Sequence, residues 1–282
     1  MLNKIVENFI GCDAAFEEAK IVLFGAPFDG TVSYRPGTRF APKAIRAESY
    51  GLETYSPYLD KDLADISVFD MGDLDLCFGN PQRVLEKIEE TAAEILSAKK
   101  IPFMVGGEHL VTLGAFRAAA KKFPEIRIIH FDAHTDLRDG YLGEKLSHAS
   151  VIRRCHEIIG DGKIFQYGIR SGDRPEFEWA KSHVFMNKFN LQNLDVAVDG
   201  CKDLPVYLTL DLDVLDPSIF PGTGTPEAGG AGFDELREAL MFVMQNSNIV
   251  ACDVNELSPH YDPSGVSTAV AGKIIREMLL SL

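Results

Sequence analysis

Short apolar, β-branched runs recur along this chain, and stretches of helical period separate them. Runs of that kind read as strands buried on both faces. Such strands pair in parallel, and every return to the sheet then needs a right-handed crossover, usually a helix, lying on one face or the other. The alternation therefore predicts an α/β fold of three layers, α/β/α, around a mostly parallel sheet of about eight strands. Strands are expected at Lys20–Gly25, Ile66–Met71, Pro102–Val105 and Ile126–Phe131, with helices at Lys43–Glu48, Pro81–Lys100 and Leu110–Phe123. Segments Ser147–Glu157, Lys163–Ile169, His183–Met186, Pro205–Asp211, Gly232–Gln245 and Asn248–Val254 continue the alternation, and a last helix spans about Gly265–Leu280. No long linker interrupts it, so residues 1–282 are read as one domain.

In open α/β sheets, ligands bind beyond the carboxyl ends of the strands. Each ligand-type cluster of this chain falls at such an end: Glu108-His109, Asp132-Ala133-His134-Thr135-Asp136, Asp211-Leu212-Asp213, and Glu256. A period of two points alternate residues of a strand the same way, which would aim Asp132, His134 and Asp136 together, and Asp211 with Asp213. One acid at a strand end is more often a helix cap or a loop hydrogen-bonder, but convergence changes the physics. Each pair of close carboxylates repels by roughly 4 kcal/mol at about 4 Å and an effective dielectric near 20, so without cations some must protonate or separate. Two divalent ions would cancel four such charges. An oxygen-rich set with two imidazoles and no thiolate suits Mn²⁺, or Co²⁺ and Fe²⁺, over a thiolate-bound structural zinc, while the affinity series still favours zinc and leaves the metal's identity open. A pair of such ions activates water for attack on a poor electrophile, which points to metal-assisted hydrolysis.

The loop Pro27–Pro42 is long for a compact domain and carries Asp29, Arg35 and Arg39; a structural or interface use is the simpler expectation. Gly106-Gly107 is read as permitting a tight turn. The five cysteines (Cys12, Cys77, Cys155, Cys201, Cys252) are scattered and lack Cys-x-x-Cys spacing, so they are expected to be reduced packing residues. The 28 Lys+Arg against 42 Asp+Glu, a formal charge of -14, argue against nucleic acid or an anionic membrane as partner and accord with a cationic small molecule. There is no apolar run of membrane-spanning length, and Met1–Asn8 lacks a basic-then-apolar signal pattern; the chain is expected to be cytoplasmic.

Taken together, Gly106-Gly107-Glu108-His109, Asp132-Ala133-His134-Thr135-Asp136, Asp211-Leu212-Asp213 with Asp216-Pro217 and Pro221–Pro226, and Asp253-Val254-Asn255-Glu256 resemble the ureohydrolases, the arginase and agmatinase family, over nearly the whole chain. Thr209 is a departure, since the family more often has Ser or Val there; it keeps a hydroxyl, so no loss of function is expected. The resemblance implies an arginase-like fold and two Mn²⁺ per chain. His109, Asp132, Asp136 and Asp211 would bind one ion, and His134, Asp132, Asp211 and Asp213 the other, with Asp132 and Asp211 bridging. It further implies a proton-shuttling role for His148, with Asp136 as a second proton carrier, and a guanidinium-holding role for Glu256. His130, His156, His183 and His260 match no ligand position and are read as packing or surface residues.

Relatives commonly form trimers or hexamers, so a homo-oligomer is expected. The segment Leu137–Leu146 and Glu256-Leu257-Ser258-Pro259 look more like agmatinases than arginases, which implies cleavage of agmatine to putrescine and urea, a step of polyamine biosynthesis. Arg138 and Lys145 keep arginine or another guanidino acid open as substrate, because either side chain can pair with a carboxylate. A catalytically silent member of this fold and a single-zinc amide hydrolase are the readings from another class. The six inferred ligands argue against the first, and the paired Asp-x-Asp sites favour two metals over one.

Overall fold

A computed structural model describes residues 7–282. Most of the N-terminal stretch Met1–Asn8, read above for a signal pattern, lies outside the described residues. In chain order the elements are β1 (Ile21–Ala26), α1 (Ala41–Ser49), β2 (Tyr55–Ser56), β3 (Lys61–Asp62), β4 (Val68–Asp73), α2 (Pro81–Ser97), β5 (Ile101–Gly106), α3 (Thr112–Lys122), β6 (Arg127–Phe131), α4 (Val151–Ile159) and β7 (Ile164–Ile169). They continue with α5 (Arg174–His183), β8 (Phe185–Lys188), α6 (Leu194–Gly200), β9 (Pro205–Asp211), α7 (Phe233–Asn246), β10 (Asn248–Asn255) and α8 (Val266–Ser281).

Eight strands form one sheet in the order β4-β1-β5-β10-β9-β6-β7-β8, with every neighbouring pair parallel. The strands are apolar on both faces because both faces are covered. Ile21 and Leu23 of β1 enter one core together with Ile45 of α1, Leu236 of α7 and Ile275 of α8. Val22 and Phe24, one residue out of phase, enter the other with Leu85 of α2, Phe116 of α3 and Ile152 of α4. The same alternation divides β9, where Leu208 and Leu210 face the first core and Tyr207 the second. Full burial of each such side chain contributes about 1.5–3 kcal/mol before chain entropy is counted. The three layers and the strand number expected from the alternation are therefore those observed.

Three features escaped the sequence reading: the small antiparallel hairpin of β2 and β3, and the helices α5 and α6. Helix α5 carries a start signal all the same. Asp173 and Glu176 form a capping box, with Pro175 inside the first turn. Among the described residues, no helix is long and apolar enough to cross a membrane.

The connections place the chemistry. The chain builds β1, β4 and β5, jumps to β6, β7 and β8, and then returns to fill the gap with β9 and β10. The four strands bearing the ligand-type clusters, β5, β10, β9 and β6, thus become consecutive neighbours at the centre of the sheet.

Candidate metal centre

Beyond the carboxyl ends of these four strands, His109 opens a short 3-10 turn before α3, and its ring is buried. Its Nδ1 lies 3.1 Å from Asp132 Oδ2, 3.2 Å from Asp136 Oδ2 and 3.2 Å from Asp211 Oδ2. A second group forms beside it. His134 Nδ1 is 2.9 Å from Asp213 Oδ2 and 3.5 Å from Asp132 Oδ1. Asp132 thus faces both imidazoles, one through each oxygen.

The convergence is not produced by extended strand, as a strict period of two would have it. β6 ends at Phe131, and Asp136 turns into the left-handed region at φ 51°. β9 ends at Asp211, whose Oδ1 accepts the Asp213 N–H at 2.8 Å and caps a 3-10 turn over Leu212–Val214. Loop hydrogen bonds therefore aim these acids. Ala133 N–H donates to Asp213 Oδ1 at 3.1 Å, and Thr225 Oγ1 donates to Asp213 Oδ2 at 3.2 Å.

Behind the ligands stands a layer the sequence reading missed. His130, read as a packing residue, is buried with Nε2 2.8 Å from Asp132 Oδ2 and Nδ1 3.0 Å from Gln166 Nε2. Thr209 Oγ1 donates to Asp253 Oδ1 at 2.6 Å and lies 2.9 Å from His109 Nε2. With its proton on Nε2, His109 donates to Thr209 and leaves the Nδ1 lone pair facing three carboxylates. The departure noted at Thr209 thus has a job, orienting the imidazole.

That lone pair is the test of whether the site fits metal ions. Nδ1 of His109 is buried and makes no hydrogen bond: the three oxygens are near enough, but none lies in line with an N–H there. A lone pair turned on three anionic oxygens is repulsive unless a cation stands among them. Without one, the cluster must gather protons. Burial disfavours the charged imidazoles, but Asp132, Asp136 and Asp211 outweigh it and raise His109 well above the usual imidazole range, and Asp213 and Asp132 do the same for His134. Burial, then Asp132, pushes Asp136 up to about 7, and burial, then Asp213 and Asp132, raises Asp211 well above the usual carboxylate range. Burial also opposes ionisation of Asp132, but His130 and the hydrogen bonds around it outweigh this and hold its carboxyl low. Hard oxygen donors with two imidazoles and no thiolate are a divalent-cation set.

Above the cluster opens a cavity of about 260 Å³, lined by His134, Asp136 and His148 among the expected site residues, and also by Ser33, Tyr141 and Thr225. His148 Nε2 is 3.2 Å from Ser33 Oγ, and burial, then His134 and His109, pushes the ring down to about 4. Glu256 does not line this cavity. It lies buried beside His109, whose N–H donates to its Oε1 at 2.7 Å, and burial raises its carboxyl well above the usual range. Its φ of 68° is a left-handed conformation that a non-glycine residue adopts only where surroundings demand it.

The long loop after β1 is held structurally, as expected: Asp29 accepts the Gly37 N–H at 2.8 Å and pairs with Arg39. It also supplies Ser33 to the cavity, and Thr31 bonds both oxygens of buried Glu108, at 2.8 Å through its N–H and 2.6 Å through its hydroxyl. The five cysteines are free, and four of them are buried.

A model of the arginase family matches residues 19–281. An agmatinase from Bacillus cereus is 49% identical over 276 residues, covering 96% of this chain and 95% of that one. The agmatinase of Bacillus subtilis (strain 168) is 50% identical over 275 residues, again covering 96% and 95%. Among solved structures, agmatine ureohydrolase of Thermoplasma volcanium matches with a TM-score of 0.89 at 34% identity, covering 99% of this chain and 94% of that one.

Proposed function

The chain belongs to the arginase family and is a hydrolase acting on guanidino groups, and from that premise we propose that it cleaves agmatine to putrescine and urea with two Mn²⁺ ions. The proposed ligands are His109, Asp132, His134, Asp136, Asp211 and Asp213. The observation that carries the two-ion reading is the position of Asp132, which offers Oδ2 to the His109 group and Oδ1 to the His134 group. When bound, such a pair of cations offsets the carboxylate charge and lowers the pKa of water for attack on carbon.

The protein's own groups do the rest. Glu256 spends Oε1 on the His109 N–H and keeps Oε2 to accept from a guanidinium, whose charge in turn favours the ionised carboxylate. His148, held neutral at pH 7, can take a proton on a ring nitrogen and deliver it to the departing amine, and Asp136 is the second carrier on the same cavity wall.

Agmatine is favoured over a guanidino acid by what surrounds Arg138. Its guanidinium pairs with Asp173 at 3.0 Å and Glu176 at 3.5 Å and lies 4.4 Å over the Tyr141 ring, so its charge is already met by two carboxylates. Lys145 is exposed and does not line the cavity. Among the described residues, an acid substrate would find no unpaired Lys or Arg lining the cavity, while an amine meets an acidic rim.

Urea release from the Mn²⁺-loaded protein, measured separately with agmatine, arginine and 4-guanidinobutanoate, tests the proposal. Agmatine should give the highest kcat/KM by more than about tenfold, or about 1.4 kcal/mol. A preference for either acid overturns the substrate, and no urea from any of the three overturns the activity. With both metals retained, Glu256→Gln should lower kcat/KM for agmatine by about 10²-fold, near 2.7 kcal/mol. Kinetics like those of the unaltered protein would remove Glu256 from substrate binding.

A further inference from the structure

A second cluster of metal-type ligands lies away from the cavity. His156, in the last turn of α4, and His183, the last residue of α5, each approach the carboxylate of Asp161 in the turn after α4. His156 Nε2 is 2.7 Å and His183 Nδ1 2.5 Å from the same oxygen, Asp161 Oδ1. The turn that presents Asp161 is built by glycines on both sides. Gly160 and Gly162 have φ of 83° and 70°, conformations that cost glycine little, and Gly162 N–H ties the turn to α5 by donating to the His183 carbonyl at 2.9 Å.

The rings are held from behind. His183 stacks on Trp179 with centroids 4.1 Å apart and an interplanar angle of 16°, while His156 meets the same indole edge-on at 4.6 Å and 85°. Arg153 lies 3.9 Å over the Trp179 ring. Two imidazoles are therefore fixed at 79° to each other with one nitrogen apiece turned to a shared carboxylate. As hydrogen bonds, both contacts require a proton on the inward nitrogen, whereas one cation can replace the two protons. The carboxyl ends of two helices meet here, and their partial negative charge adds to its attraction. Asp161 is 64% exposed and the histidine side chains 13% and 30%, so an ion can reach the group from solvent.

We propose that His156, Asp161 and His183 form a second metal site, separate from the carboxylate-rich centre, that takes one transition-metal ion of the Zn²⁺ or Ni²⁺ kind. Two imidazoles and one carboxylate with the remaining position open to water are a ligand set for such ions, and nitrogen-rich sites bind Mn²⁺ weakest of the first-row series. The preference for Zn²⁺ or Ni²⁺ over Mn²⁺ is thus steeper here than at the oxygen-rich centre, whose carboxylates suit Mn²⁺ better than imidazoles do.

Trp179 is the single tryptophan of the chain, and it touches His183, so its emission reads an ion bound there. Ni²⁺ would be titrated into the full-length protein with Mn²⁺ in excess to hold the carboxylate cluster. The site predicts saturable quenching of Trp179 near one equivalent per chain. Asp161→Asn and His156→Gln should each raise the midpoint by about tenfold or more, since loss of a ligand costs at least what loss of a ligand's hydrogen-bond partner does. Neither residue belongs to the catalytic cavity, so urea release without Ni²⁺ should match that of the unaltered protein. No quenching in the unaltered protein, or the same midpoint in both variants, overturns the site.

Discussion

At the scale of single residues, Asp132, Asp211 and Asp213 each have a hydrogen-bond partner that decides where their oxygens point, and His130 is the clearest case. Burial lowers its pKa and keeps the ring neutral, so Nε2–H donates to Asp132 while Nδ1 accepts from the Gln166 amide, which also donates to the Thr135 carbonyl at 2.7 Å. Asp132 is the acid that faces both imidazoles, so its orientation matters to both halves of the centre. His130→Phe should keep the fold yet weaken Mn²⁺ binding by about 10–100-fold in equilibrium dialysis; unchanged affinity would make His130 a packing residue after all. The signal was present in the sequence. His130 shares the parity of Asp132, His134 and Asp136, and the strand reaches as far as Phe131, but a histidine inside an apolar run reads as core until its partner is seen. The six proposed ligands were legible as ligand-type residues at or just beyond the end of an apolar strand, where no apolar core would accept them, although only Asp211 itself closes its strand. Glu256 was legible as an acid at a strand end, whereas its place beneath the cavity lining depends on a left-handed backbone that sequence does not display.

Among the elements, the end of β5 shows how backbone packing positions a ligand. Gly106 and Gly107 do not owe their identity to a turn, for neither has positive φ. A side chain on Gly106 would collide with the Asn255 amide, and one on Gly107 with the backbone carbonyl of Phe28. That close approach lets Glu108 N–H reach the Phe28 carbonyl at 2.7 Å and Glu256 N–H reach the Gly107 carbonyl at 2.9 Å, joining β1, β5 and β10 just before His109. Gly107→Ala should therefore cost about 1–3 kcal/mol or more in urea unfolding and lower metal content as well. Unaltered stability with full metal binding would show that the contact yields freely. Helix α5 was missed for a different reason: its apolar stripe is weak, and its start signal of Asp173, Pro175 and Glu176 stands without a strong periodic run behind it. Glu176 also reaches out of its helix, accepting from Thr135 Oγ1 and from Leu137 N–H at 3.1 Å, so the capping residue braces the Asp132–Asp136 loop. No local pattern announces a contact of that range.

For the whole molecule, the alternation of strand and helix foretold the layers but not the strand order, which rests on crossovers that skip positions and return to fill them. That order gathers the acids at the centre of the sheet, and their crowding links stability to pH in the metal-free protein. Burial, then Asp132, lifts Asp136 from 3.8 to about 7 in the folded protein, so the folded state binds more protons than the unfolded one between those values. The contribution is present below about pH 4 and is lost as pH rises through about 7. Metal-free protein should accordingly show a falling melting temperature over that interval from this group, and saturating Mn²⁺ should flatten the slope because ions replace the protons; identical slopes in both forms would separate the acids from metal binding. The central claim, that one carboxylate serves two ions, is tested most directly by counting metal. After Mn²⁺ loading and removal of free ion, elemental analysis of the unaltered protein should find close to two Mn²⁺ per chain, and Asp132→Ala should leave both positions depleted, with fewer than about one. A single tightly held ion in fully active protein, or two ions retained in the folded Asp132→Ala variant, would contradict the account.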